Sequence, residues 1–271
     1  MQFEVAIRAS QGQRRQQEDT ALAWPEPEAG SDSASLMPLP AGIAGEAAAV
    51  LCDGMGGHAG GGMASRLACE AFLPDVASGS APVRQRLFNA LDLANAAIAE
   101  KIADNAAFSG MGSTLVGAYL DAEGLSWISV GDSLLYLWRN GKVVVLNDDH
   151  SLAPEIDKLA ESGKITWAAA EADPRRHYLR SALTGDDFEM IDLCDRAIAL
   201  QDGDVVVLAS DGIHTLKTEQ IAEIVGSVAA GGATAIAKRL ISTVEAAGVP
   251  HQDNTTIVAI CVRGAAASGH V

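Results

Sequence analysis

Four aspartates share one setting in the sequence. Asp53-Gly54, Asp132-Ser133 and Asp211-Gly212 each follow an apolar run that reads as a strand, and Asp253-Asn254 precedes one. Antiparallel strands can bring all four carboxylates to the same edge of a sheet. Carboxylates crowded in this way repel, and each is driven to take up a proton unless a cation lies among them. Oxygen ligands without a Cys or His cluster favour a hard divalent ion, Mg²⁺ or Mn²⁺, over zinc. At any single position, Asp beside a turn-forming residue is ordinary turn chemistry. Four such positions together weaken that account. Glu18 and Asp19 add two carboxylates at the end of the segment RRQQED, residues 14–19. A guanidinium from this segment would suit a bidentate grip on phosphate, with a surface counter-ion as the competing account of Arg14.

The loop Gly54-Met55-Gly56-Gly57-His58-Ala59-Gly60-Gly61 is the other candidate for chemistry. It lacks the Gly-Lys-Ser/Thr ending of a P-loop. It fits Gly-x-Gly-x-x-Ala between a strand and a helix, with Asp75 about 20 residues on, as a dinucleotide site requires. However, Asp75 follows a helical pattern rather than a second strand, and Asp53 would point negative charge at a pyrophosphate. A dinucleotide-dependent oxidoreductase therefore ranks behind the metal reading.

These residues need elements to hold them. Phe3, Val5 and Ile7 alternate with polar or small residues, the period of a strand with one buried face. Residues 25–45, rich in Pro, Ala, Ser and Gly, read as an inserted surface loop. Residues 47–52 form a buried strand that ends at Asp53. Leu87, Leu91, Ala94 and Ile98 recur at helical spacing. Residues 114–146 hold three apolar strand-like runs, with Asn140-Gly141 as a hairpin turn. Residues 152–185 are more polar and read as a surface excursion with two short helices. Residues 205–209 are a buried strand, residues 218–228 and 234–247 are helical, and residues 255–261 form a last strand. The pattern predicts antiparallel sheets packed together and flanked by helices.

The chain has 271 residues, 48% hydrophobic, enough to bury a substantial core. With Lys+Arg 19 against Asp+Glu 35, the net charge of −16 disfavours nucleic acid and anionic lipid as partners. No apolar run approaches the roughly 18 residues of a membrane span, and residues 1–17 lack a signal-type segment, so a cytoplasmic protein is expected. The widely spaced Cys52, Cys69, Cys194 and Cys261 read as small buried apolar residues.

Several segments together resemble the bacterial metal-dependent Ser/Thr protein phosphatases of the 2C type. They are RRQQED at 14–19, DGMGGH at 53–58, MGSTL at 111–115, GDS at 131–133, ASDG at 209–212 and DNTT at 253–256, in the family's order. DDHSL, GKIT and DPRRHYLRSALTG extend the similarity over nearly the whole chain. The resemblance implies one catalytic domain over 1–264 with a short tail at 265–271. Its fold class is α+β: two packed antiparallel sheets with helices on both outer faces, a four-layer αββα sandwich. By resemblance Asp53 bridges two ions, the Gly54 carbonyl joins one, and Asp211 and Asp253 hold the other. Asp132 with Asp211 holds a third, weaker ion. Glu18 and Asp19 orient metal-bound waters, Arg14 takes the substrate phosphate, His58 is the candidate general acid, and residues 152–185 are the family's variable flap.

The reaction so implied is hydrolysis of phosphoserine and phosphothreonine by a water activated between Mn²⁺ or Mg²⁺ ions, in a monomer that opposes a Ser/Thr kinase. A phosphoprotein-binding regulator on the same fold is the alternative, and loss of Asp53, Asp211 or Asp253 would have marked it. The sequence departs from the family at Gln16-Gln17, Gly62 and Leu134, none of them a ligand position.

Overall fold

The computed structural model describes residues 1–27, 45–56 and 59–264. Most of the 25–45 loop, His58 and the 265–271 tail lie outside the described residues. The chain opens with β1 (Gln2–Ser10), β2 (Asp19–Trp24) and β3 (Ala47–Met55), followed by helices α1 (Ala59–Ser78) and α2 (Val83–Asp104). Strands β4 (Gly112–Ser113), β5 (Leu115–Leu120), β6 (Leu125–Val130), β7 (Leu134–Arg139) and β8 (Lys142–Val145) come next. The excursion carries α3 (Ala153–Glu161) and α4 (Trp167–Glu171). The chain ends with β9 (Asp192–Leu193), β10 (Val205–Ala209), α5 (Thr218–Val228), α6 (Gly232–Ala247) and β11 (Thr255–Arg263).

The strands form two antiparallel sheets. One has the order β1-β11-β10-β7-β8, and the other β2-β3-β5-β6-β9 with β4 paired to β3. Strand alternation sorts the apolar residues into layers. Along β3, Ala47, Ala49 and Leu51 face the other sheet, where they meet Val206, Leu208, Val258 and Ile260. Ala48, Val50 and Cys52 face the opposite way, against Phe72 of α1 and Leu87 and Leu91 of α2. Along β11, Ile257, Ala259 and Cys261 pack on Ile221 of α5 and Ile236 and Leu240 of α6. The result is the expected four-layer αββα sandwich. All four cysteines are buried and none is in a disulfide.

Two sequence expectations change and one is reinforced. Residues 114–146 hold four strands, β5 to β8, rather than three, the fourth being the short and largely exposed Lys142–Val145. Its turn is as expected: Asn140 and Gly141 both take positive φ, 51° and 80°. Residues Thr218–Ala247 do form a stretch apolar enough for a membrane span by composition. They are two helices broken by a 3₁₀ turn at Ala229–Gly231, with Ile221, Val225, Ile236 and Leu240 buried against the sheet. Asp75 lies inside α1, away from any strand end, which removes the geometry of a dinucleotide site.

Candidate metal and phosphate centre

The aspartates do not share one sheet edge. Asp53 lies on β3 and Asp132 follows β6 in one sheet, whereas Asp211 follows β10 and Asp253 precedes β11 in the other. They meet at one end of the sandwich because the two sheets stack there. Asp53, Asp132, Asp211 and Asp253 line one cavity of about 1300 Å³ together with Arg14, Glu18 and Gly54. Arg15 is exposed and is not part of that lining.

Neighbouring motif residues fix these groups by hydrogen bonds. The Asp53 N–H donates to Thr114 Oγ1 at 3.0 Å, and the Asp53 carbonyl accepts from Ser113 Oγ at 2.9 Å and from the Thr114 N–H at 2.8 Å. Thr114 Oγ1 also lies 2.8 Å from Ser133 Oγ, which ties the Asp53 backbone to the loop carrying Asp132. Asn254 does the same for the Arg14 segment. Its Oδ1 accepts from the Glu18 N–H at 2.8 Å, and its Nδ2 donates to the carbonyls of Gln11 at 2.8 Å and Gln16 at 3.0 Å. The loop after Asp53 depends on glycine: a Cβ on Gly54 would sit 2.1 Å from the Gly61 carbonyl oxygen.

Like charges crowd this centre. Asp19 and Asp53 stand directly opposite in the β2–β3 register, and both follow the parity of residues that face the other sheet. Burial pushes Asp53 well above the usual carboxylate range, with Asp19, Asp211, Asp132 and Asp253 adding repulsion. Burial likewise raises Asp132 to about 7, reinforced by Asp211 and Asp149. Asp19 rises to about 7 through burial, although Ser210 Oγ donates to its Oδ2 at 2.8 Å. Asp211 rises to about 6 through burial and the nearby Asp253. Oδ1 of Asp19 and of Asp211 are buried without a hydrogen-bond partner. Arg14 forms an ion pair with Asp253 Oδ2.

Such a donor set fits hard divalent cations: oxygen ligands, several of them buried, with acceptors left open. Among the described residues no three acidic groups are already drawn into a ready-made cage, and Arg14 occupies one carboxylate. Sequence reasoning assigned no roles to Ser113, Thr114, Ser210 or Asn254. The motifs MGSTL, ASDG and DNTT contained them, yet their work is on backbone groups.

Residues 42–252 match the family model of protein phosphatase 2C. The serine/threonine protein phosphatase PstP of Mycobacterium tuberculosis is 33% identical over 217 residues, which is 77% of this chain and 39% of that relative. This chain therefore spans well under half the length of that relative. The protein phosphatase PhpP of Streptococcus pneumoniae is 30% identical over 190 residues, covering 68% of this chain and 74% of its own. A solved catalytic domain of PstP in complex with two manganese ions superposes with a TM-score of 0.72 at 28% identity, covering 97% of this chain and 99% of that one. With that match over most of its length and the same ordered acidic motifs at one end of the sandwich, the chain belongs to the protein phosphatase 2C family.

Proposed function

We propose that this protein hydrolyses phosphoserine and phosphothreonine in proteins, with Mn²⁺ or Mg²⁺ at two sites. One observation carries the reading: aspartates from both sheets, Asp53 and Asp132 from one and Asp211 and Asp253 from the other, line a single cavity beside Arg14. In this proposal Asp53 and the Gly54 carbonyl would hold one ion, and Asp53, Asp211 and Asp253 a second. Asp132 with Asp211 would hold a third, weaker ion. When bound, the ions would supply charge stabilisation and a strongly acidified water for attack on phosphorus.

The chain's own groups would do the rest. Glu18 and Asp19, the first held at its backbone N–H by Asn254 and the second at its carboxylate by Ser210, would orient water by hydrogen bonds. Arg14 is exposed enough to exchange its Asp253 partner for phosphate oxygens, where a guanidinium offsets equatorial charge. His58, from the same loop as Gly54, is the proposed donor of a proton to the departing serine or threonine oxygen.

The test measures phosphate release from phosphothreonine and phosphotyrosine peptides with Mn²⁺ or Mg²⁺ and with excess chelator. Release from phosphothreonine that stops on chelation and returns with either ion is expected. Full activity in chelator, or none with either ion, overturns the proposal.

A further inference from the structure

Asp132 reaches the cavity from the end of β6, and the residue that turns the chain towards it is the buried Gly131. Gly131 takes a φ of 106°, and a Cβ there would lie 2.6 Å from Thr114 Cγ2, so its backbone is pressed against the residue that holds Asp53. Both backbone polar groups of Gly131 are met by one residue far along the chain. The Gly131 N–H donates to His150 Nδ1 at 3.2 Å, and the Gly131 carbonyl accepts from the His150 N–H at 3.1 Å. His150 is itself anchored: its carbonyl accepts from the Arg180 N–H at 2.8 Å, and the residue is 1% exposed.

A buried imidazole is ordinarily a packed core residue whose polar tip has found a partner. Here the tip serves the backbone of the residue directly before Asp132. Burial lowers His150 below the ordinary histidine range, which leaves Nδ1 without a proton and free to accept. An apolar side chain of similar size would fill the space and strand the Gly131 N–H in a buried site.

We infer that His150 is a positioning residue of the metal centre: through Gly131 it sets the direction in which the Asp132 carboxylate enters the cavity. This rests on the phosphatase reading above, in which Asp132 serves the weaker ion. His150 touches neither substrate nor metal in this role, and its effect on turnover passes through Asp132.

Nitrogen NMR of the wild type in chelator at about pH 8 reads the hydrogen bond without any variant. The Nε2–H tautomer is expected, and a proton on Nδ1 overturns the inference. His150→Leu and His150→Asn then separate hydrogen bonding from packing, because the Asn amide oxygen can stand in for Nδ1. In calorimetric Mn²⁺ titration, His150→Leu should lower affinity at the weakest site about tenfold, the scale for losing a group that orients a ligand, and leave the tighter sites as in wild type. On a phosphothreonine peptide kcat should fall in parallel with little change in KM, and His150→Asn should recover most of both. In an Asp132→Ala background His150→Leu should cost less than about twofold more, since the ligand it orients is gone. Equal loss in the Leu and Asn variants, or full additivity with Asp132→Ala, makes His150 merely structural and overturns the inference. Wild-type protein that releases phosphate from neither the peptide nor nitrophenyl phosphate with either ion overturns the phosphatase reading instead.

Discussion

Asp53 concentrates the electrostatic cost of the centre in one side chain. It faces Asp19 directly across β2–β3, an arrangement that destabilises a sheet when both groups are charged, and it lies within reach of the charges of Asp211, Asp132 and Asp253. Asp53→Asn keeps the shape and removes one charge. The metal-free variant should therefore melt higher than the wild type, by about 2 to 4 °C for each kcal/mol relieved. Turnover should be lost and Mn²⁺ affinity should fall; scanning calorimetry and metal titration check the two halves, and unchanged affinity would remove Asp53 as a shared ligand. Arg14 separates from it cleanly. Arg14→Ala frees Asp253, so metal affinity should hold or rise while kcat/KM on phosphopeptides drops roughly 10- to 100-fold, the scale of charge-assisted hydrogen bonds. Arg15→Ala, outside the cavity lining, should have the smaller effect.

At the scale of elements the centre depends on clips between segments far apart in sequence. Asn254 joins the start of β11 to the loop that carries Arg14 and to the first residue before β2. Asn254→Ala leaves one N–H and two carbonyls without this partner, and should cost about 2 to 3 kcal/mol in denaturant unfolding together with a rise in KM. Asn254→Asp retains the acceptor for the Glu18 N–H and loses both donors, so its effect should be intermediate; equal loss in both variants would make the acceptor irrelevant. These clips explain what could be read in advance. Alternation along β1, the continuous apolar runs of β3 and β11 and the helical stripe of α2 follow from burial, so these elements were legible. Strands β4 and β9, of two residues each, and the 3₁₀ turn Asp211–Thr215 are too short to carry a period and exist because tertiary contacts hold them. The acids were legible one by one at strand ends. Their distribution over two sheets was not, because it depends on how the sheets stack.

Across the whole molecule, an apolar sandwich closes over three layers of core while one end keeps a group of buried acids, and pH exposes that tension. In the fold Asp19 and Asp132 titrate at about 7 and Asp211 at about 6, against an ordinary 3.8. The native state thus holds more protons than the unfolded chain between these values, and metal-free stability falls as pH rises through that window. Buried His150 and the more exposed His214 act in the opposite sense, since loss of hydration lowers both below the ordinary 6.5 and their destabilising effect fades as pH rises past 6.5. Between pH 6.5 and 8 what is left of the imidazole contribution raises stability, so a fall belongs to the carboxylates. In chelator the thermal midpoint is expected to drop over that interval. Saturating Mn²⁺ should reverse the drop, with a larger stabilisation at pH 8 than at pH 6.5 because fewer protons compete for the ligands. Diffuse repulsion from the net charge of −16 also grows with pH, so Asp132→Asn supplies the control. The variant should flatten the slope in chelator while changing the total charge by a single unit. A slope identical to wild type would assign the pH dependence to overall charge and remove local strain at this end of the sandwich as its cause.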